Sequence, residues 1–124
     1  MKVLYDQVSQ ECSELVTKRY STSFSLATRM LSKDIRPHIY NIYGFVRFAD
    51  EIVDSFHDFP KEELFKRFSD DLEASLTHKI SLNPILNAFQ MTYHRFGIPK
   101  DLVDSFMKSM ELDLHKTEYL TEEE

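Results

Sequence analysis

Two glycines (Gly44, Gly97) and four prolines (Pro37, Pro60, Pro84, Pro99) are the only strong chain breakers in 124 residues. A fold of many short strands needs turn residues far more often than this, so the chain must run mostly as helices. With 42% hydrophobic residues, including 10 Phe and 6 Tyr, it carries enough apolar material for the core of one domain and is not a disordered tail.

Charge and cysteine content narrow the class further. The net charge of −6 argues against a nucleic-acid partner, whose phosphates require a basic stripe, and against a polybasic membrane anchor. A lone Cys12 can form no internal disulfide and no paired-cysteine metal site, and it reads as a small buried hydrophobe. The first twenty residues carry Asp6, Gln7, Gln10, Glu11 and Glu14 where a secretory leader would be apolar. No run approaches the ~18 apolar residues of a membrane span. A cytoplasmic protein is the expectation.

Apolar periodicity and capping signals predict about six helices. Val3, Leu4, Val8, Cys12, Leu15 and Val16 place a first helix over residues 3–19, with those side chains inward. The hydroxyl-rich Tyr20-Ser21-Thr22-Ser23-Phe24 breaks it, and Leu26, Ala27, Met30 and Leu31 suggest a short second helix. Asp34 and Pro37 signal the start of a third, reaching about Phe56. Pro60, Glu62 and Glu63 open a fourth, with Leu64, Phe65, Phe68, Leu72 and Leu76 inward. Asn83-Pro84 caps a fifth through Ile85, Leu86, Phe89 and Tyr93 to Gly97, and Pro99 opens a sixth from Lys100 to about Glu118. Glu122 to Glu124 read as a solvated end.

The third helix holds the chemistry. At 100° per residue, Arg36, Tyr40, Tyr43, Arg47, Asp50 and Asp54 fall within an arc of roughly 80°. Ile39, Ile42, Val46, Phe48, Ala49, Ile52, Val53 and Phe56 cover much of the remainder, so the helix should be enclosed by others, its polar stripe facing water or a cavity. Asp50 and Asp54 sit about 6 Å apart along the axis and can share Mg2+, which binds one or two carboxylates together with substrate phosphates. Arg47 can fork onto phosphate oxygens. On spacing alone a solvated acidic face is the better explanation of the pair, and Asp54 with Asp58 repeats the spacing; the enclosing apolar arc and the aligned Tyr and Arg bring the metal reading level with it.

The pattern Tyr43-x-x-x-Arg47-x-x-Asp50-x-x-x-Asp54 resembles the first aspartate-rich motif of the phytoene and squalene synthases, especially the bacterial phytoene synthases. Ser21-Thr22-Ser23-Phe24 is similar to their Ser-x-Ser-Phe segment. Gly97-Ile98-Pro99, and Met110-Glu111-Leu112-Asp113-Leu114 through Tyr119, are similar to their later helices. The resemblance implies an all-α terpenoid-synthase fold that joins two prenyl diphosphates, farnesyl or geranylgeranyl, head to head in isoprenoid or carotenoid synthesis, with Mg2+ and, in a squalene-type enzyme only, NADPH. It implies that Asp50 and Asp54 bind diphosphate through Mg2+, and that Arg47, Ser21 and Ser23 contact phosphate oxygens. Tyr43 would line the cavity near the ionising bond and Phe24 would face the carbocation. Family members are roughly twice as long and carry a second aspartate-rich motif in the later half. The chain therefore looks like the N-terminal half of a larger domain, expected to be inactive alone and to self-associate through exposed cavity wall. Greasy substrates and products also suggest peripheral membrane association. The alternative is a non-catalytic relative that serves as a scaffold.

Other residues carry two readings each. Asp113, inside the apolar arc of the last helix, is either a cavity residue near the metal or a rim carboxylate. Arg36 and Tyr40 read as surface and packing residues, and Glu51 as a solvent-facing neighbour or support of the acids. Phe106, Met107 and Met110 read as core. The five histidines, His38, His57, His78, His94 and His115, lack zinc-ligand spacing and read as surface.

Overall fold

The computed structural model describes residues 1–123, with side chains described through residue 116. All of its regular structure is helical: α1 (Lys2–Tyr20), α2 (Thr22–Thr28), α3 (Arg36–Ser55), α4 (Lys61–His78), α5 (Pro84–Phe96) and α6 (Lys100–Glu123). Among the described residues there is no strand. The helix α3 packs against α1, α4, α5 and α6, which makes it the axis of the bundle. The side chains of Tyr119 and of Glu122 to Glu124 lie outside the described residues.

Several helix ends follow directly from the sequence. Asn83 Oδ1 accepts from the Ile85 and Leu86 amides at 3.0 and 3.3 Å, with Pro84 in the first turn. At the other end of α5, Gly97 adopts φ +62°, a conformation that an L side chain strains to reach. Ser21 Oγ accepts from the Phe24 amide at 3.1 Å and so starts α2.

Other ends differ from expectation. Asp34 does not cap α3; Ile35 occupies the cap position without a side-chain bond. Instead Arg36 folds back, donating to Leu31 O at 2.8 Å and Arg29 O at 2.5 Å, which fixes the α2–α3 turn. The helix α2 stops at Thr28, leaving Met30 and Leu31 exposed in that turn, and α6 continues past Glu118.

The largest correction concerns α1. Val3 (72% exposed), Leu4, Val8 and Leu15 face outward, and the buried face is Ser9, Ser13 and Thr17. Small hydroxyl residues let backbones approach closely, and Gly44 of α3 completes the fit: a Cβ there would stand 3.1 Å from Ser13 Oγ. Polar groups of α5 and α3 line the same seam. Asn87 Nδ2 donates to Asp6 Oδ1 at 2.9 Å and to Ser9 Oγ at 3.1 Å, and Asn41 Nδ2 donates to Thr92 Oγ1 at 3.0 Å. His38 is half-buried in this seam, its Nδ1 2.9 Å from Thr92 Oγ1, so it is not a surface residue.

The apolar core lies on the other side of α3, where Phe45, Ala49, Ile52 and Val53 meet Phe65, Phe68 and Leu72 of α4, Leu86 and Phe89 of α5, and Val103, Met107, Met110 and Leu114 of α6. Cys12 is only half-buried and stands outside this core. No described helix is long and apolar enough to cross a membrane.

Lys61 is buried against the end of α3, its Nζ donating to Val53 O at 2.8 Å and lying 3.1 Å from His57 Nδ1. A cation there offsets the negative end of the helix and satisfies a terminal carbonyl. Lys61→Met keeps the aliphatic stem and removes the ammonium, and is expected to cost about 1–3 kcal/mol in urea unfolding, the size of a buried charge-assisted bond lost.

Candidate functional site

The polar stripe of α3 forms along the register that its spacing predicts, but its members divide. Arg36 is taken up in the α2–α3 turn and Tyr40 is buried at 4% exposure, so the chemical part begins at Tyr43. The Tyr43 ring stacks on Phe24 of α2, with centroids 4.8 Å apart and planes at 22°. This contact seats α2 on α3 and brings the Ser21–Phe24 segment alongside the stripe. Ser21 is half-buried with its hydroxyl engaged in the cap, whereas Ser23 is exposed in the first turn of α2.

One turn further, the Arg47 guanidinium lies over the Tyr20 ring at 4.8 Å, and its Nη2 donates to Glu51 Oε2 at 2.6 Å. Arg47 Nε is buried and has no hydrogen-bond partner. Arg47 in turn holds the Glu51 carboxyl below the usual carboxylate range. Neither Tyr20 nor this use of Glu51 follows from the stripe. The i, i+4 spacing of Arg47 and Glu51 was the available signal for the pair.

Asp50 is half-buried and Asp54 is exposed. Burial pushes the Asp50 pKa above its ordinary value, the neighbouring charge of Asp54 raises it further, Arg47 pulls it back in part, and Asp113 of α6 raises it again. Asp113 itself is exposed, not enclosed in the apolar face of α6, while Met107, Met110 and Leu114 fill the core. The fold thus brings Asp50, Asp54 and Asp113 into one negative field from two helices.

Among the described residues no three His, Cys, Asp or Glu side chains gather closely enough to hold a metal by themselves. The donor set nevertheless fits Mg2+, which commonly takes one or two carboxylates and completes its shell with water and substrate phosphates. Asp50 and Asp54 offer such a pair; burial is the main cause of the raised Asp50 pKa, and a divalent cation would relieve the smaller part that comes from the charges of Asp54 and Asp113.

Two clefts flank the stripe. An apolar cleft of about 510 Å³ is lined by Ile42 and Val46 of α3, Phe96, Ile98, Leu102 and Phe106, with Val46 one helical turn before Asp50. A second, of about 350 Å³, lies on the Glu51 side among Tyr20, Phe48, Ile52, Phe56 and Phe68.

The all-helical bundle, with an Arg-Asp-Asp stripe on its axial helix, is consistent with the helical fold of the isoprenoid-synthase class. Within that class, the squalene/phytoene synthase family model matches residues 17–124, and the chain belongs to that family. It is 29% identical over 96 residues to presqualene diphosphate synthase of Rhodopseudomonas palustris, a match covering 75% of this chain and 33% of that protein. It is 24% identical over 107 residues to the bifunctional protein CrtB/UppS of Streptomyces coelicolor, covering 86% of this chain and 19% of the relative. The chain therefore matches well under half the length of either relative.

Proposed function

We propose that this chain carries a diphosphate-binding half-site of a prenyltransferase that condenses two prenyl diphosphates head to head. The observation that carries the reading is the joint placement of Arg47, Asp50, Asp54 and Asp113 beside the Phe24–Tyr43 stack and the apolar cleft. Asp50 and Asp54 would hold Mg2+, which on binding supplies charge to stabilise the departing diphosphate. Arg47 adds N–H donors for phosphate oxygens where negative charge develops. The stacked faces of Phe24 and Tyr43 attract the positive charge left on carbon, an effect that grows when water is excluded. Ile42, Val46, Phe96 and Leu102 would take the isoprenoid tail and keep water from quenching the cation. Ser21 and Ser23 would serve the diphosphate at the head of α2, and Asp113 the rim of the cation site.

The test is a product assay on the complete reading frame that encodes this chain, supplied with Mg2+ and farnesyl or geranylgeranyl diphosphate, with and without NADPH. The expected result is a C30 or C40 head-to-head product that requires Mg2+, the preferred substrate reporting tail length and any NADPH dependence reporting a reductive step. The 124-residue chain alone is expected to form none. Absence of product from a folded complete protein would instead favour a non-catalytic relative acting as a scaffold.

A further inference from the structure

Arg47 stands between two acids on one helix, Asp50 three residues on and Glu51 four residues on. Either spacing permits an ion pair. The structure resolves the choice in favour of Glu51, at 2.6 Å, and the Tyr20 ring from the end of α1 lies against the guanidinium at 4.8 Å. The consequence falls on Asp50. A carboxylate hydrogen-bonded to arginine has part of its charge balanced and some of its lone pairs occupied, which weakens its hold on a divalent cation, whereas the hydrogen bond of Arg47 falls on Glu51 and leaves the Asp50 oxygens clear of it. Arginine also has about 2 kcal/mol of rotamer freedom to lose on ordering, and a side chain already fixed loses it in folding, not in binding.

We propose that Glu51 and Tyr20 are positioning residues that hold Arg47 away from Asp50 and fix its remaining N–H donors for an anion. Arg47 is thus ordered before the anion arrives, and the cation-binding carboxylate is left open. The sealed Nε is the internal mark of this arrangement, since a guanidinium free to sample rotamers would expose it to water. The inference rests on the reading of this stripe as a diphosphate site, and its test separates the two.

Calorimetric titration of the chain with inorganic diphosphate in the presence of Mg2+ gives opposite signs for the two roles that Glu51 could have. If Glu51 acts only as a nearby negative charge, removing it tightens anion binding. As a positioning residue, Glu51→Ala weakens binding about tenfold, the equivalent of one charge-assisted hydrogen bond. Glu51→Gln, which keeps an acceptor oxygen, recovers part of the loss, and Tyr20→Phe, which keeps the ring, weakens binding less than Tyr20→Leu. A second readout needs no anion. The Arg47 Hε resonance, assigned by its loss in Arg47→Lys, exchanges slowly with solvent in the wild type and rapidly in Glu51→Ala and Tyr20→Leu. Unchanged or tighter diphosphate binding in Glu51→Ala, or unchanged Hε exchange there, overturns the proposal. A wild-type chain that binds no diphosphate but shows the exchange differences overturns the diphosphate reading and supports the positioning role.

Discussion

Asp50→Asn is expected to lower product formation by the complete reading frame by about 10³-fold or more, while making the metal-free 124-residue chain more stable. On the proposed reading, the loss follows from replacing one of the two carboxylates that would hold Mg2+ with an amide that carries no charge. The gain follows from the same carboxylate's surroundings. Burial raises the Asp50 pKa from 3.8, and the charges of Asp54 and Asp113 raise it further. Between the ordinary and the raised value the folded chain binds more protons than the unfolded chain, so stability falls as pH rises through that window. The favourable state is complete below the unfolded pKa and is lost above the folded one. Asn, neutral at every pH, avoids the loss. In urea unfolding with EDTA, wild type and Asp50→Asn should be nearly equal near pH 3, and the variant should lead by about 0.5–1 kcal/mol at pH 7, a modest figure because the group is partly solvated. Equal stability at pH 7 would show that Asp50 sits relaxed, without the charge crowding that a cation relieves. Functional acids are a common place for a protein to hold such a penalty.

How far these features could be read without coordinates depended on whether the residue or its neighbour decided the outcome. The bounds of α5 were legible because Asn83, Pro84 and Gly97 act through their own backbone. The stripe on α3 was legible for the same reason, as helical spacing alone places Tyr43, Arg47, Asp50 and Asp54 together. The inward face of α1 was not, because hydropathy ranks Leu4 and Leu15 above Ser9 and Thr17 for burial. The contrary outcome is set by the partner surface: Gly44 leaves room for close approach, and Asn87 supplies polar contacts. Ser9 and Thr17 also satisfy their hydroxyls within their own helix, donating to Tyr5 O and Ser13 O at 2.9 Å, whereas the buried Ser13 Oγ between them has no hydrogen-bond partner. Nothing in the sequence singles out Lys61 for burial, since a lysine in a first turn is ordinarily solvated and only the end of α3 makes it a buried cap. Asp113 reads from the wheel as lying inside the apolar arc of α6, either near the metal or at the rim, yet it is exposed, because a wheel records angle and not which neighbours cover a position.

Phe45→Ala is expected to produce the largest loss of stability in the chain, about 3–5 kcal/mol, because the removed ring leaves both lost transfer energy and a cavity. Phe45 is 2% exposed and is the side chain on which three other elements converge. Its ring stacks on Phe89 of α5 at 4.1 Å, lies 5.8 Å from Phe68 of α4 and tilts against Phe106 of α6 at 5.5 Å. No single neighbour can collapse into the space without leaving another gap, so relaxation recovers little. Domains of this size hold about 5–15 kcal/mol in total, and the loss would leave a measurable unfolded fraction at room temperature. Phe59→Ala, at a ring 65% exposed, should change stability by no more than about 0.5 kcal/mol, which separates burial from aromatic character in the same urea series. The effect also reaches the site. The α3–α6 packing that Phe45 anchors through Phe106 is what carries Asp113 within electrostatic reach of Asp50. The Asp50→Asn gain at pH 7 should therefore shrink in the Phe45→Ala background, whereas two independent sites would add. Additive effects would mean that Asp54 and Glu51, on the same helix, supply the crowding, and that α6 makes no contribution to the acidic field.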